Sequence, residues 1–364
     1  MKIIHITPDL KWSKIFILPI AEFQAENGNE VIISAPSANN VNSAYENIKF
    51  ANLGDKLKNP RLHIVGIFKL IKAIRKESID NIFLHTSLDS CLPIICVRIF
   101  TQAKVIYVNH GVTYDGYSGL FGLAFKMVEF LNIVFSHKII SITKSMSTLL
   151  ERVNLLNKDI ETLSPGTIAG IKFKFHNYES LIKARSMRLS LADSSKINLI
   201  YVARIEKRKG IYELVEALSN SKLSNFRLSV VGNGRYNSTN ENKEITNLIF
   251  KGYVENITDF YLDSELLVVP SYHEGFGQVY LEAASLGVIP VCSNILGPTD
   301  FIEHGYNGFT VIPRNVESIT TLLEEIAAGV YDLDKIRKNA FNSAKVFESN
   351  LVLKNNAKVF NKWL

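Results

Sequence analysis

The segment PSYHEGFGQVYLEAASLG, residues 270–287, is the densest set of groups able to do chemistry in this chain. An apolar run ends at Pro270 and Ser271, a short loop carries Glu274, Gly275, Phe276 and Gly277, and a helical pattern beginning near Gly277 contains Glu282. Glycines beside an apolar aromatic let the backbone approach a ligand closely. The free N–H groups of a following helix can hold an anion such as a diphosphate. At about 1.5 Å rise per helical residue, Glu274 and Glu282 lie roughly 8–12 Å apart. That is too far for an acid–base pair and suits gripping two ends of a long ligand, one carboxylate on sugar hydroxyls and the other on a ribose. Both glutamates can equally be solvated groups favoured by a helix dipole.

A second constellation is VARIEKRKG, residues 202–210. Arg204 ends an apolar strand and Lys209 stands at the mouth of the next helix, so both can project from one strand-end loop. A guanidinium fork with a mobile ammonium is the combination that neutralises a diphosphate. There is no GxxxxGK[ST] here, so the loop is not a Walker loop, and solvated surface charge is the simpler alternative. In VVGNGR, residues 230–235, Gly232 makes a turn after a strand on which a base or phosphate can lie. His110 in YVNHG and His85 in IFLHTS each end an apolar run, and His273 adjoins Glu274. Single histidines of this kind are more often hydrogen-bonded structural residues than catalytic ones.

The elements that must position these groups repeat along the chain. KIIHIT (2–7), EVIISAP (30–36), NIFLH (81–85), KVIYVNHG (104–111) and HKIISIT (137–143) read as short strands. Helical patterns at 15–26, 62–76, 88–100, 118–136 and 144–152 alternate with them. Around 164–196 the alternation lapses into a polar stretch ending LADSSK, where a domain boundary is expected. It restarts with INLIYVARI (197–205), FRLSVVGNG (226–234), LIFKGYV (248–254), ELLVVPS (265–271) and VIPVCSN (288–294), with helices at about 211–219, 256–262 and 277–286. Fully apolar strands joined by helices imply parallel sheets covered on both faces, whose ligands bind beyond the carboxyl ends of the strands.

Composition agrees. The 364 residues are 47% hydrophobic and 21% charged, which excludes disordered and fibrous chains and suggests roughly two domains. The net charge of +6 is compatible with an anionic partner without choosing a nucleotide, a nucleic acid or an acidic membrane. Aromatic and basic residues do not interleave, which argues against nucleic acid. Cys91, Cys96 and Cys292 form no CxxC pair and read as buried thiols of a reducing compartment. Pro8 and Asp9 cut the first apolar run too short for a signal peptide, so a cytoplasmic location is expected. Leu120–Phe135 is interrupted by Lys126, Glu129 and Asn132 along one face, an amphipathic helix rather than a membrane span.

Taken together, VARIEKRKG, VVGNG, FKGYVEN, VVPSYHEGFGQVYLEAASLGVIPVCSN and GPTDFIEHGYNGF resemble, in order, glycosyltransferase family 4, retaining nucleotide-sugar enzymes. The first half resembles it more loosely, through the HG at 110–111, the SIT at 141–143 and SPGTIAGIKF at the boundary. It departs by carrying PDLKWSK at 8–14 where many relatives have a glycine pair, and Asp300 where relatives often have Glu. The resemblance implies an α/β, GT-B fold of two facing Rossmann-like domains with an interdomain cleft. An acceptor domain would span 1–168, completed by a C-terminal helix at about 345–364, and a donor domain 169–344. Glu274, Lys209, Arg204 and His110 would be catalytic: Glu274 on the donor-sugar hydroxyls, Lys209 and Arg204 on the diphosphate, His110 near the transferred sugar. Glu282 would bind the ribose, and Gly275, Phe276, Gly277, Gly232 and Val254 would line the donor.

The function so implied is transfer, with retention, from a UDP-sugar to a saccharide or undecaprenyl-diphosphate-linked saccharide in bacterial surface polysaccharide synthesis, as in O-antigen or capsule, with no metal or other cofactor. The residues fit this, because bond breaking leaves negative charge on a diphosphate that preorganised cations stabilise. No DxD-type cluster or His/Cys ligand set stands at a strand end. IVGIFKLIKAIRK (64–76) and GLFGLAFKMVEFLNIVFSHK (119–138) combine apolar and basic residues, an expected peripheral contact with an anionic membrane at its inner face. The alternatives are a UDP-sugar epimerase of the same architecture, which needs no acceptor, and a non-catalytic nucleotide-binding module.

Overall fold

In the computed structural model most of the apolar runs become strands buried on both faces and rich in β-branched residues, the run at Leu248–Gly252 being an exposed exception. The structure describes all residues except 37–45, 53–59, 190–194, 237–246 and 363–364. Part of the expected LADSSK stretch and the last two residues of the expected C-terminal helix therefore lie outside the described residues. The chain divides into two units, Met1–Gly170 with Ser349–Leu364, and Ile171–Glu348.

The first unit begins with β1 (Lys2–Ile6), the short helix α1 (Leu10–Trp12), a π-helical turn Ser13–Ile17 and α2 (Leu18–Glu26). It continues through β2 (Glu30–Ser34), β3 (Ile48–Ala51), α3 (Pro60–Glu77), β4 (Asn81–Leu84), α4 (Cys91–Phe100) and β5 (Lys104–Asn109). Then come α5 (Gly119–Phe135), β6 (Lys138–Ser141), α6 (Lys144–Glu151) and β7 (Ile160–Thr162). The seven strands form one parallel sheet in the order β3-β2-β1-β4-β5-β6-β7, with His5 of β1 between Ile33 and Phe83.

The second unit contains α7 (Tyr178–Leu189), β8 (Ile197–Val202), α8 (Ile211–Leu218), β9 (Phe226–Val231), β10 (Leu248–Gly252), α9 (Thr258–Leu262) and β11 (Leu266–Val269). It ends with α10 (Gln278–Ser285), β12 (Ile289–Ser293), β13 (Phe309–Val311), α11 (Val316–Ala327) and α12 (Leu333–Ala344). Its six parallel strands run β10-β9-β8-β11-β12-β13. The expected class, α/β with two Rossmann-like parallel sheets of the GT-B kind, is borne out. Strand order reverses between β1 and β4 in one sheet and between β8 and β11 in the other. Crevices for ligands open at such switch points.

All ten expected strands are present, and the three the sequence did not announce, β3, β7 and β13, are edge strands. An edge strand has one neighbour and partial burial, so its apolar signal is weak. The polar stretch at the expected boundary contains the helix α7, whose inward residues are Leu181 and an arginine. Arg185 is buried and donates from Nη2 to Ser264 O at 2.7 Å and from Nη1 to Tyr261 O and Leu286 O, both at 3.3 Å. It shares Glu265 with Arg337 of α12, which also donates to Gly287 O at 3.0 Å.

The helix α5 corrects a second expectation. Its three polar residues do not form one solvent face: Lys126 is exposed but Glu129 and Asn132 are fully buried, while Leu120 (85%) and Phe121 (71%) are among the most exposed apolar side chains. Glu129 accepts from Ser87 Oγ at 2.5 Å and Tyr107 Oη at 2.8 Å, and Asn132 donates to Ser87 O at 2.8 Å. Those bonds turn the polar stripe inward and leave the apolar stripe outside. Cys91 and Cys292 are buried, Cys96 is half-buried, and all three are free.

The last helix, α13 (Ser349–Asn361), belongs to the first unit. Ser349 Oγ donates to Ala169 O at 2.6 Å, and Asn356 Nδ2 to Thr167 O and Ile168 O at 2.7 and 3.0 Å. Phe360, buried, packs on Phe83 with ring centroids 5.5 Å apart. Phe360→Ala is expected to lower stability by about 3–5 kcal/mol in chemical denaturation of the whole chain. A loss under about 1 kcal/mol would mean that α13 is not anchored through this ring.

Candidate active site

Beyond β8 the chain turns through a single 3-10 turn, Lys207–Lys209, into Gly210, which has φ +73° and starts α8. A side chain at Gly210 would overlap the carbonyl of Pro270 at the end of β11, so this position needs glycine for both its backbone angle and its contact. Tyr272 N–H donates to Arg208 O at 2.9 Å, so the loops after β8 and β11 are bonded across the switch point. Their meeting brings Lys209 to Glu274. The ammonium lies 2.5 Å from Oε1, with the side chains only 13% and 14% exposed, and Ser271 Oγ donates to the same oxygen at 2.9 Å. Arg204 takes a different course. It is 62% exposed and pairs at 3.2 Å with Glu206, which also holds Arg208 at 2.7 Å. The structure thus joins Lys209 to Glu274 and leaves Arg204 at the surface of the same loop.

The glycines of the motifs are used first by the protein itself. Gly232 has φ +153°, and a side chain there would overlap the carbonyl of Ala203 beyond β8. A side chain at Gly297, in the loop after β12, would overlap the carbonyl of Gly275. Four strand-end loops are therefore pressed together with no room for side chains between them. Gly277, at φ +85°, starts α10 beside the ring of Tyr280. Phe276 is buried and packs on Phe347 at 5.5 Å, so its ring serves the core. Val254 is half-buried in the loop after β10, and His273 is half-buried beside Glu274.

Glu282 lies on α10, half-buried, with no cation paired to it among the described residues. Burial pushes its carboxyl up to about 7, partly offset by a hydrogen bond from Tyr261. A carboxylate held this close to neutrality gains strongly from new hydroxyl donors, which favour its charged form.

In the first unit, His110 and His85 end β5 and β4 and meet at 3.0 Å between Nε2 of His110 and Nδ1 of His85. His5, inside β1, continues the line, with Nδ1 at 2.8 Å from Nε2 of His85. Burial lowers His110 to about 3 and His5 to about 4, and it lowers His85 well below its ordinary value, so all three are neutral at pH 7. Trp12 packs edge-on against His110 at 4.7 Å. The PDLKWSK loop thereby closes on itself, with Asp9 accepting from Trp12 N–H at 2.8 Å and Ser13 Oγ donating to Asp9 O at 2.7 Å. Asn109 Oδ1 accepts from Gly111 N–H at 3.1 Å and fixes the turn that carries His110.

Sequence reasoning missed Ser271, Gly210 and His5 as parts of these clusters. Ser271 and Gly210 stand within the quoted motifs, where their strand-end positions are the available signal, whereas His5 sits inside an apolar strand and gives none. Among the described residues, no group of three or more His, Cys, Asp or Glu side chains is placed to hold a metal ion.

Residues 182–343 match the family described as Glycosyl transferases group 1. The chain is 27% identical over 271 residues to the capsular polysaccharide biosynthesis glycosyltransferase CapM of Staphylococcus aureus, covering 72% of this chain and 70% of that protein. It is 24% identical over 326 residues to the N,N'-diacetylbacillosaminyl-diphospho-undecaprenol alpha-1,3-N-acetylgalactosaminyltransferase of Campylobacter jejuni, covering 84% and 82%. Two other curated relatives are matched over 49% and 52% of their own length. Among solved structures, Anabaena HepE in complex with UDP is similar with a TM-score of 0.75 at 16% identity over 100% of both chains.

The raised carboxyl of Glu282 makes a prediction about stability. Its folded-state value of about 7 lies above its ordinary 4.5, so the folded chain binds more protons between these values. Its stabilising contribution is complete below about 4.5 and is lost as pH rises through 7. Glu282→Gln should therefore melt higher than the wild type at pH 8 by a few degrees more than it does at pH 4.5. Parallel melting-temperature profiles of the two proteins would show that this carboxyl is not raised.

Proposed function

We propose that this chain, a glycosyltransferase of the hexosyltransferase type, moves a sugar from a UDP-sugar to a lipid-diphosphate-linked saccharide with retention at the sugar carbon, in the manner of glycosyltransferase family 4. The observation that carries the reading is the Lys209–Glu274–Ser271 cluster at the β8/β11 switch point, within the matched domain. A diphosphate arriving there meets Lys209, the ammonium turns to the phosphates, and Glu274 is released to accept from sugar hydroxyls. Arg204, exposed on the same loop, adds a second cation. As the sugar–phosphate bond breaks, charge grows on the diphosphate oxygen, and the two cations stabilise it more than they stabilise the ground state. They supply the charge with which a metal ion would otherwise assist, so the reaction proceeds without a cofactor. Glu282 takes the ribose hydroxyls, and His110 offers a ring nitrogen to a ligand hydroxyl. HepE, similar in fold, was solved with UDP, and the relative from Campylobacter jejuni is named for a diphospho-undecaprenol acceptor.

An acceptor on a polyprenyl anchor places this enzyme at a membrane, on the cytoplasmic face. Among the described residues no helix is long and apolar enough to cross one. Instead α3, α4 and α5, packed side by side, expose Phe68 on α3, Leu92 and Phe100 on α4, and Leu120, Phe121 and Leu123 on α5. Lys69, Lys72 and Lys76 on α3 and Lys126 on α5 are exposed on the same helices. Apolar side chains flanked by lysines suit the boundary of an anionic bilayer.

Lys209→Ala and Glu274→Ala are each expected to lower kcat/KM for sugar transfer by at least about 10²-fold, with far-ultraviolet circular dichroism unchanged. Full activity in both variants would overturn the assignment. In flotation, vesicles containing phosphatidylglycerol should carry the protein upward and Phe121→Asp should abolish this. Equal flotation of wild type and variant, or none by either, would remove the membrane contact from the account.

A further inference from the structure

Four side chains of the first unit form one unbroken line of hydrogen bonds. Gln24 Oε1, on α2, lies 2.8 Å from His5 Nε2; His5 Nδ1 lies 2.8 Å from His85 Nε2; and His85 Nδ1 lies 3.0 Å from His110 Nε2. Gln24, His5 and His85 are buried, and His110 is half-buried at the carboxyl end of β5. Every ring nitrogen in the line is used except Nδ1 of His110, which makes no hydrogen bond to a described residue. A neutral imidazole carries one N–H and one bare nitrogen, so three neutral rings supply three protons to three bonds.

The protons can then be placed one after another. The carbonyl oxygen of Gln24 accepts, so His5 holds its proton on Nε2 and its Nδ1 is bare. That bare nitrogen requires the proton of His85 on Nε2, and the bare Nδ1 of His85 requires the proton of His110 on Nε2. Reversing the line needs Gln24 to turn its amide, because two acceptors would otherwise face each other. Gln24 turns its Oε1 to His5 and leaves its Nε2 without a partner, and this orientation of the amide is what sets the direction of the line. Trp12, edge-on to His110 at 4.7 Å and near His85 at 5.9 Å, holds the outer rings in place.

We propose that Gln24, His5 and His85 are positioning residues that hold His110 as its Nε2–H tautomer, so that Nδ1 is a fixed hydrogen-bond acceptor. Such an atom selects a ligand hydroxyl and rejects a phosphate or carbonyl oxygen, because two acceptors at hydrogen-bond distance repel. The tautomer follows from this unit alone; that the hydroxyl belongs to a sugar rests on the proposed function.

Long-range 1H–15N correlation spectra of the ligand-free protein, 15N-labelled at its eight histidines, read the tautomer directly. The His110 signals, assigned by their loss in His110→Gln, should show a bare Nδ1 and a protonated Nε2 as a single species. In Gln24→Leu the same signals should shift toward a mixture of the two tautomers. A protonated Nδ1 or a mixture in the wild type would overturn the inference, as would an unchanged His110 spectrum in folded Gln24→Leu. The expected spectra together with no sugar transferred from any UDP- or GDP-sugar would keep this inference and overturn the function instead.

Discussion

The ion pair between Lys209 and Glu274 is the constraint around which the second unit is arranged. Its partners are 65 residues apart in sequence and meet only because β8 and β11 are neighbours at the point where strand order reverses. Two largely covered charges cost several kcal/mol to strip of water, and their attraction offsets this only in close geometry with further hydrogen bonds. The close packing of Gly210 on Pro270, Gly232 on Ala203 and Gly297 on Gly275 supplies that geometry, and Ser271 supplies the further bond. In the proposed reaction the same pair is a latent site. It neutralises itself without a ligand and divides its two charges between phosphate and sugar when one binds.

The first unit makes the opposite use of polar groups. Glu129 is buried under α5, where burial pushes its carboxyl up to about 7 and Ser87 and Tyr107 hold it. The helix is thereby rotated so that its apolar residues face outward. Tyr107 Oη also accepts from Asn109 Nδ2 at 2.8 Å, so the network that turns α5 outward reaches the turn carrying His110. One set of buried hydrogen bonds thus connects the apolar face proposed to meet a bilayer with the histidine proposed to meet the ligand.

Much of this was legible in the sequence for definite reasons. The central strands are mostly apolar runs of four to six residues, and the loops carrying Lys209, Gly232, Glu274 and His110 follow them directly. In a parallel sheet that position alone marks a residue for ligand contact. What periodicity does not carry is which stripe of a helix turns inward, and α5 shows the consequence, since Glu129 and Asn132 read as a solvent face and are core. The helix α7 was hidden because one of its two buried residues is Arg185, beside Leu181, and the partners of Arg185 are carbonyls scattered from Tyr261 to Leu286. His5 was hidden among isoleucines. Phe276 and Gly232 read as ligand-facing, and both are first occupied with protein contacts, one with Phe347 and the other with Ala203.

The most direct test of the central claim is a crystal structure of the chain with UDP bound. The account predicts a diphosphate oxygen within about 3 Å of Lys209 Nζ, the ribose hydroxyls on the Glu282 carboxylate, and Glu274 freed from its pair with Lys209. UDP bound elsewhere, with Lys209 still paired to Glu274, would contradict it.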